Sequence, residues 1–155
     1  MKKRLLSWLL VLTMITSLIP STLITTAFAA GNGVNIARAT DLADDVKPVE
    51  KAGVYKISGT RQNPVKITAT DEVVLVLDNV TITTATSPIE LAAGAKVTLV
   101  VLDSTSNILT CTATAADASN GGKTAGILVP ETASLTIDRT VGETGTGTLS
   151  VTGGY

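Results

Sequence analysis

After residue 53 the chain repeats itself imperfectly with a period of about 24 residues, in short β-branched runs separated by polar turns, which is the signature of a β-solenoid. Residues 64–67 (Pro-Val-Lys-Ile) match residues 88–91 (Pro-Ile-Glu-Leu), and residues 73–75 match residues 97–99 at the same offset. A third copy begins at Gly126, where residues 133–137 echo residues 95–99 at a larger offset. The difference is explained by an extra loop from about Thr112 to Lys123.

The repeat predicts an all-β fold, a right-handed parallel β-helix of about three coils. Each coil would pair with the next in parallel, and inward aliphatic side chains would stack in columns. Two columns are expected, one of Ile67, Leu91 and Val129 and the other of Leu75, Leu99 and Ile137. The alternative is an antiparallel β-sandwich, in which a strand recurs roughly every 8–12 residues.

The repeat also divides the chain. Residues 53–155 would form the coils, and residues 31–52 a polar lead-in that caps the first coil, since a repeat fold needs a cover over its open edge. The last strand-like run, residues 148–152, is followed by no capping pattern. We therefore expect the coils to be truncated at the C-terminus, as in the N-terminal fragment of a longer protein.

The first thirty residues resemble a secretory signal peptide. Lys2, Lys3 and Arg4 form a basic start, and an apolar stretch follows from residue 5 to residue 19. The small residues Ala27 and Ala29 fit the rule for signal peptidase, with cleavage after Ala29 or Ala30. Pro20 ends the apolar stretch too early for a membrane span of about 20 residues. Residues 1–30 therefore predict export, to the medium or the cell surface, with no membrane segment after removal of the signal.

Composition excludes several functional classes. Without the three basic residues of the signal, nine basic residues face thirteen acidic ones, and no basic cluster is present, which argues against nucleic acid as a partner. The chain has no histidine, the commonest general base and metal ligand. Its single cysteine, Cys111, cannot form an intramolecular disulfide and is interpreted as a small apolar residue. The sequence does not predict the oligomeric state.

Several segments resemble a known family. Residues 53–60 (Gly-Val-Tyr-Lys-Ile-Ser-Gly-Thr), 74–82, 87–89 and 107–109 are similar to the bacterial carbohydrate-binding domain family typified by exported clostridial β-helix proteins. The resemblance covers roughly residues 53–155. It implies a right-handed parallel β-helix that binds acidic polysaccharide such as pectin with the help of calcium. Residues 147–154 also resemble glycine-rich repeats of large surface proteins from Gram-positive bacteria.

Two aspartates are the candidate metal ligands. Residues 77–78 match residues 102–103, one position beyond the common offset, so Asp78 and Asp103 would share a repeat position. Coils about 4.8 Å apart would bring the carboxylates together. Calcium, which takes six to eight oxygen ligands, could then lie between them and leave positions for a sugar carboxylate. The simpler interpretation is that each aspartate caps a turn. Residues 79–80 match residues 107–108 if residues 104–106 are a turn insertion, so Asn79 and Asn107 would form a short ladder at the same corner.

Catalysis is not predicted. Glycoside hydrolysis needs a placed pair of carboxylates, and a lyase of this shape would need a base such as Lys66 or Lys96. Neither lysine is expected to share a repeat position with a carboxylate. Tyr55 and Tyr155 are the only aromatic residues in the β region, which disfavours a lectin for neutral glycans. The sequence thus predicts a non-enzymatic carbohydrate-binding module. A structural segment of a cell-surface protein or adhesin is the alternative, and part of a polysaccharide lyase or hydrolase is a weaker one.

Overall fold

The computed structural model describes residues 36–119, 121–139 and 146–155, all within the compact unit Gly31–Tyr155. The predicted signal and its cleavage residues Ala27, Ala29 and Ala30 lie outside the described residues. A 3₁₀ turn at Ile36–Arg38 and one short helix, α1 (Ala115–Ser119), accompany ten strands in the described part of the chain. The strands are β1 (Thr40–Asp41), β2 (Gly53–Arg61), β3 (Val65–Ile67), β4 (Glu72–Thr84), β5 (Ile89–Leu91), β6 (Lys96–Val101), β7 (Ser106–Cys111), β8 (Ile127–Leu128), β9 (Ser134–Arg139) and β10 (Thr148–Thr152).

Every strand pairing among the described residues is parallel. From β2 to β6 successive strands alternate between two sheets. One sheet has the order β1-β2-β4-β6-β9, with β7 beside the second half of β4 and β10 beside β7; the other has the order β3-β5-β8. The antiparallel sandwich is therefore wrong, because it requires neighbouring strands of opposite direction. Each pass of the chain lies on the previous one, as the repeat predicts.

The strand register confirms the predicted offsets. Val65 lies opposite Ile89 and Val73 opposite Val97, both at the offset read from the sequence. Leu75 pairs with Leu99, and Leu99 with Ile137, which forms one predicted column. Ile67 pairs with Leu91 as expected for the other. Leu75 and Leu99 are fully buried, whereas Ile137 in the last layer is 55% exposed.

The core lies between the two sheets and consists almost entirely of Val, Ile, Leu and Ala. Residues 73–77 of β4 are buried on both faces of their sheet, which explains why this strand reads as a continuous apolar run rather than an alternation. The outer face of the sheet carries a second apolar cluster of Val74, Val76 and Val100, against which Ile36, Val54 and Leu102 pack.

One corner departs from the predicted register. Leu77 pairs with Val101, not Leu102, and Thr81 with Ile108, whereas the sequence match placed Val80 level with Ile108. The spacing between layers therefore grows by three positions at this corner and not by four. The extra residues are accommodated by the left-handed backbone of Ser104, with φ of 56°.

The two asparagines of this corner have different roles. Asn79, itself at φ of 52°, is exposed and its Oδ1 accepts from the backbone N–H of Ser106 at 3.1 Å. Asn107 is buried; its Oδ1 accepts from the backbone N–H of Val80 at 3.1 Å and its Nδ2 donates to the carbonyl of Thr148 at 3.1 Å. Both asparagines satisfy turn backbone groups of a neighbouring layer, as a ladder would, but they do not stack on each other in register.

The lead-in joins both sheets. Thr40 in β1 pairs with Tyr55, and Val49 forms a parallel bridge to Ile67 in the other sheet. Leu42 packs against the core. These contacts lie over the first layer of strands, at the end of the molecule opposite to the exposed Ile137.

The predicted loop between the second and third copies contains α1. The helix begins with a reciprocal cap, in which Thr114 Oγ1 accepts from the backbone N–H of Asp117 and Asp117 Oδ2 accepts from the backbone N–H of Thr114. The loop is tied down by the end of the chain, since Gly154 donates to the carbonyl of Thr124 and Tyr155 to that of Ala113. In the part of the chain that the structure describes, no helix is long and apolar enough to cross a membrane.

Candidate functional site

The predicted acidic pair lies at the irregular corner, but its members are not level. Because Leu77 pairs with Val101, Asp78 continues towards Leu102 and Asp103 lies one residue beyond it. Asp78 Oδ1 accepts from Asn79 Nδ2 at 3.3 Å, and Asp103 Oδ1 accepts from the backbone N–H of Thr146 at 2.9 Å. Both carboxylates thus bond turn groups. The described residues contain no cluster of three or more metal-ligating side chains, and calcium binding stays a prediction.

A groove of about 300 Å³ lies where the lead-in meets β2. Its apolar lining includes Tyr55, Leu42 and Val49. The remaining lining residues are Asp41, Ala43, Asp45, Lys47, Pro48, Glu50 and Lys51. The groove therefore combines one aromatic ring with three carboxylates and two ammonium groups. We call it the Tyr55 groove.

The ring of Tyr55 is held in place from several sides. Its hydroxyl donates to the carbonyl of Lys51 at 3.0 Å, and its body packs against the hydrophobic core. A Cβ built on Gly53 would lie 3.3 Å from the Tyr55 ring, so a larger residue there would crowd the ring. Tyr55 thus presents a fixed, half-buried aromatic ring to the groove. Tyrosine suits such a position, because one end of its ring can lie in apolar surroundings while the other end is in contact with water.

Arg61 holds in place two of the residues that line the groove, Leu42 and Ala43. It is buried, 4% exposed, at the end of β2 and in register with the core residue Ile82. Its Nη1 donates to the carbonyl of Leu42 at 2.8 Å and its Nη2 to the carbonyl of Ala43 at 2.6 Å. A guanidinium that donates to two consecutive carbonyls holds their peptide units in a defined orientation.

Asp44 completes this attachment from the lead-in side. Its carboxylate accepts from the backbone N–H groups of Gln62 at 2.8 Å and Asn63 at 3.1 Å. The bond from Gln62 holds the pKa of Asp44 below its usual value; desolvation opposes this shift, and the bonds from Asn63 and the charge of Arg61 add to it. Residues 61–63 therefore donate hydrogen bonds to residues 42–44 through the side chain of Arg61 and through two backbone N–H groups, from which the side chain of Asp44 accepts. We call these contacts the Arg61 clamp.

The lysines do share repeat positions with carboxylates, so that expectation is wrong. Lys66 lies opposite Glu90 and Lys96 opposite Glu72, each at the common offset. The two pairs are in different sheets, and each places one base beside one acid. Glu90 is buried and its Oε2 bonds the Nζ of Lys123 at 2.6 Å. This ion pair holds the long loop over the outer face of β5.

Sequence reasoning missed the groove and the clamp. The groove residues come mostly from the non-repeating lead-in, where no periodicity relates them. Arg61 did leave a signal, because it follows the buried Ile57 by four positions in one strand and so lies on the same, inward face. A charged residue at an inward position is buried only with polar partners. The lead-in was the nearest segment without a place in the repeat, and it was therefore the natural source of partners for Arg61.

Parallel pairing throughout the described residues, an aliphatic core and polar corners together define a class, the all-β repeat protein, here with a surface groove of mixed apolar and polar lining. The chain belongs to the family described as carbohydrate-binding domain-containing protein, whose model matches residues 43–155. The match begins within the lead-in, at a residue that lines the Tyr55 groove. Neither a curated protein nor a solved structure matches the chain.

Proposed function

We propose that this protein is a non-enzymatic polysaccharide-binding module and that it binds a sugar in the Tyr55 groove. The observation that carries the proposal is the position of Tyr55, the aromatic residue of the groove, in a member of a carbohydrate-binding family. The C–H face of a sugar ring is apolar and packs on an aromatic ring, while its hydroxyl groups need polar partners. A groove with one aromatic anchor and a few polar groups meets both needs.

The polar lining can bond sugar hydroxyls in both senses. Carboxylates such as Asp45 and Glu50 accept from hydroxyl groups, and the ammonium groups of Lys47 and Lys51 donate to them. Three carboxylates against two ammonium groups leave the lining slightly negative. A neutral or weakly acidic glycan fits this balance better than a densely charged polyuronate, unless a cation bridges the two. Binding of an acidic polysaccharide with calcium, which the family resemblance implies, would therefore require the cation site predicted at Asp78 and Asp103.

The proposed architecture is a right-handed parallel β-helix. Crossovers between parallel strands of one sheet are right-handed in about 98% of cases, and the chain passes through the second sheet between successive strands of the first. The proposed location is outside the cell, secreted or at the cell surface, on the strength of the signal-like residues 1–30. Binding without catalysis is supported by the family description.

The test is a titration of the full chain with neutral and acidic polysaccharides, each with calcium and with a chelator. Tyr55→Leu keeps apolar packing but removes the ring, and Tyr155→Ala removes the other tyrosine, which is 79% exposed. We expect Tyr55→Leu to weaken binding at least about tenfold, a loss of about 1.4 kcal/mol, and Tyr155→Ala to leave it unchanged. Equal effects of both substitutions would place the site elsewhere, and absence of binding to every glycan would refute the function.

The calcium question is answered in the same titration. If Asp78 and Asp103 hold the ion, the double variant Asp78→Asn, Asp103→Asn abolishes any calcium-dependent part of the binding and leaves the calcium-independent part intact. Incubation with pectin, followed by measurement of reducing ends and of unsaturated products, addresses catalysis. Product formation above that of a heat-denatured sample would contradict a purely binding role.

A further inference from the structure

The groove wall formed by residues 41–43 has little regular structure of its own. β1 contains only two residues and pairs with β2 through Thr40 and Asp41. Beyond it, the backbone N–H of Leu42 donates to the carbonyl of Lys56 at 2.9 Å. A two-residue strand is marginal by itself, so the position of this wall depends on contacts from side chains.

Arg61 supplies those contacts from outside the groove. It does not line the groove, yet both carbonyls that it bonds belong to residues that do, Leu42 and Ala43. Its Nε lies 3.9 Å from Asp44 Oδ1, too far for a hydrogen bond, and has no hydrogen-bond partner among the described residues. A buried guanidinium that leaves one donor unpaired is costly, which indicates that its position is set by the two carbonyls.

We propose that Arg61 is a positioning residue for the carbohydrate site, which sets the separation between the lead-in wall and the ring of Tyr55. This inference rests on the proposed function, because the affected property is glycan affinity. The physical reason is geometric. The planar guanidinium bonds two consecutive carbonyls at once, whereas an ammonium group is a point charge on a flexible stem.

The substitution Arg61→Lys retains the charge and loses the two-carbonyl geometry. We expect it to weaken glycan binding about tenfold, the size of one lost hydrogen bond to a charged group. Hydrogen exchange at the Leu42 amide is expected to become faster in the same variant, with or without glycan. Exchange in β6, which β4 separates from β2, is expected to keep the wild-type rate.

Glu90→Gln is the control for general destabilisation, because it perturbs another buried charged residue, whose ion pair with Lys123 is 2.6 Å long, but lies in the other sheet. It is expected to lower thermal stability while glycan affinity and exchange at Leu42 stay at wild-type values. All measurements are made well below the unfolding temperatures of both variants. Arg61→Ala gives the upper limit of the effect if it folds.

The two proposals fail in different ways. If the wild type binds no glycan, the proposed function is wrong, and faster exchange at Leu42 in Arg61→Lys still supports the positioning role. If Arg61→Lys leaves exchange and affinity unchanged, the positioning role is wrong. It is equally wrong if Glu90→Gln weakens binding as much as Arg61→Lys does, because the effect would then follow general stability.

Discussion

Replacing Leu99 by alanine tests whether stacked aliphatic columns hold the layers together. Leu99 is fully buried, with Leu75 paired on one side and Ile137 on the other. A buried leucine truncated to alanine costs about 2–5 kcal/mol, and a site closed in by strands on both sides cannot collapse easily, so we expect about 3 kcal/mol. For a domain of this size that corresponds to a fall in Tm of about 10 °C.

Ile137→Ala is the matched control in the same column. Its side chain is 55% exposed in the last layer, so less apolar area returns to water and no closed cavity forms. The expected cost is about 1 kcal/mol. Both variants are compared by urea denaturation, with the midpoint and the slope fitted separately. A loss for Leu99→Ala no larger than that for Ile137→Ala would refute the column as the source of stability.

Three further predictions concern polar and backbone contacts. Asn107→Ala should cost about 2–4 kcal/mol in urea denaturation, since the buried N–H of Val80 and the carbonyl of Thr148 lose their partner, and a cost below about 1 kcal/mol would contradict this. Asp44 has a lowered pKa in the folded state, so the stability that it contributes is present above its unfolded pKa of about 3.9 and is lost as pH falls from there through the lower folded pKa. The Tm of Asp44→Asn should accordingly fall less between pH 4 and pH 2 than the Tm of the wild type. Identical profiles of Tm against pH would exclude Asp44 as the cause of the acid sensitivity. In Gly126→Ala the new Cβ would lie 3.0 Å from the carbonyl oxygen of Thr152, so we expect a loss of about 1–3 kcal/mol from the forced separation of the loop and β10; unchanged thermal unfolding would show that this contact is soft.

The repeating part of the fold was readable from the sequence. The two offsets between copies predicted the pairs Val73 with Val97 and Leu99 with Ile137, both of which the structure contains. The pair of Val65 with Ile89 in the other sheet follows the shorter offset as well. Parallel layers in register place like side chains above one another. The packing requirement therefore recurs in every layer and produces a period in the sequence.

Matching of residue types failed at the corner after Leu77. Asn107 was aligned with Asn79, but it lies inside the fold and bonds the backbone N–H of Val80. Turn residues are selected for backbone conformation and local hydrogen bonds, and an asparagine can meet those needs from two different positions. Similar residue types in a turn therefore do not determine the strand register, whereas columns of aliphatic core residues do.

The candidate site was decided by the tertiary structure alone. The Tyr55 groove joins a strand of the first layer to a lead-in without a period, and the Arg61 clamp joins residues that are 19 and 18 apart in the chain. Repetition constrains only side chains that must match in successive layers. A site built once, at the end of the stack, has no second copy in the sequence with which it could be aligned, and it exists only when the chain folds the lead-in onto β2.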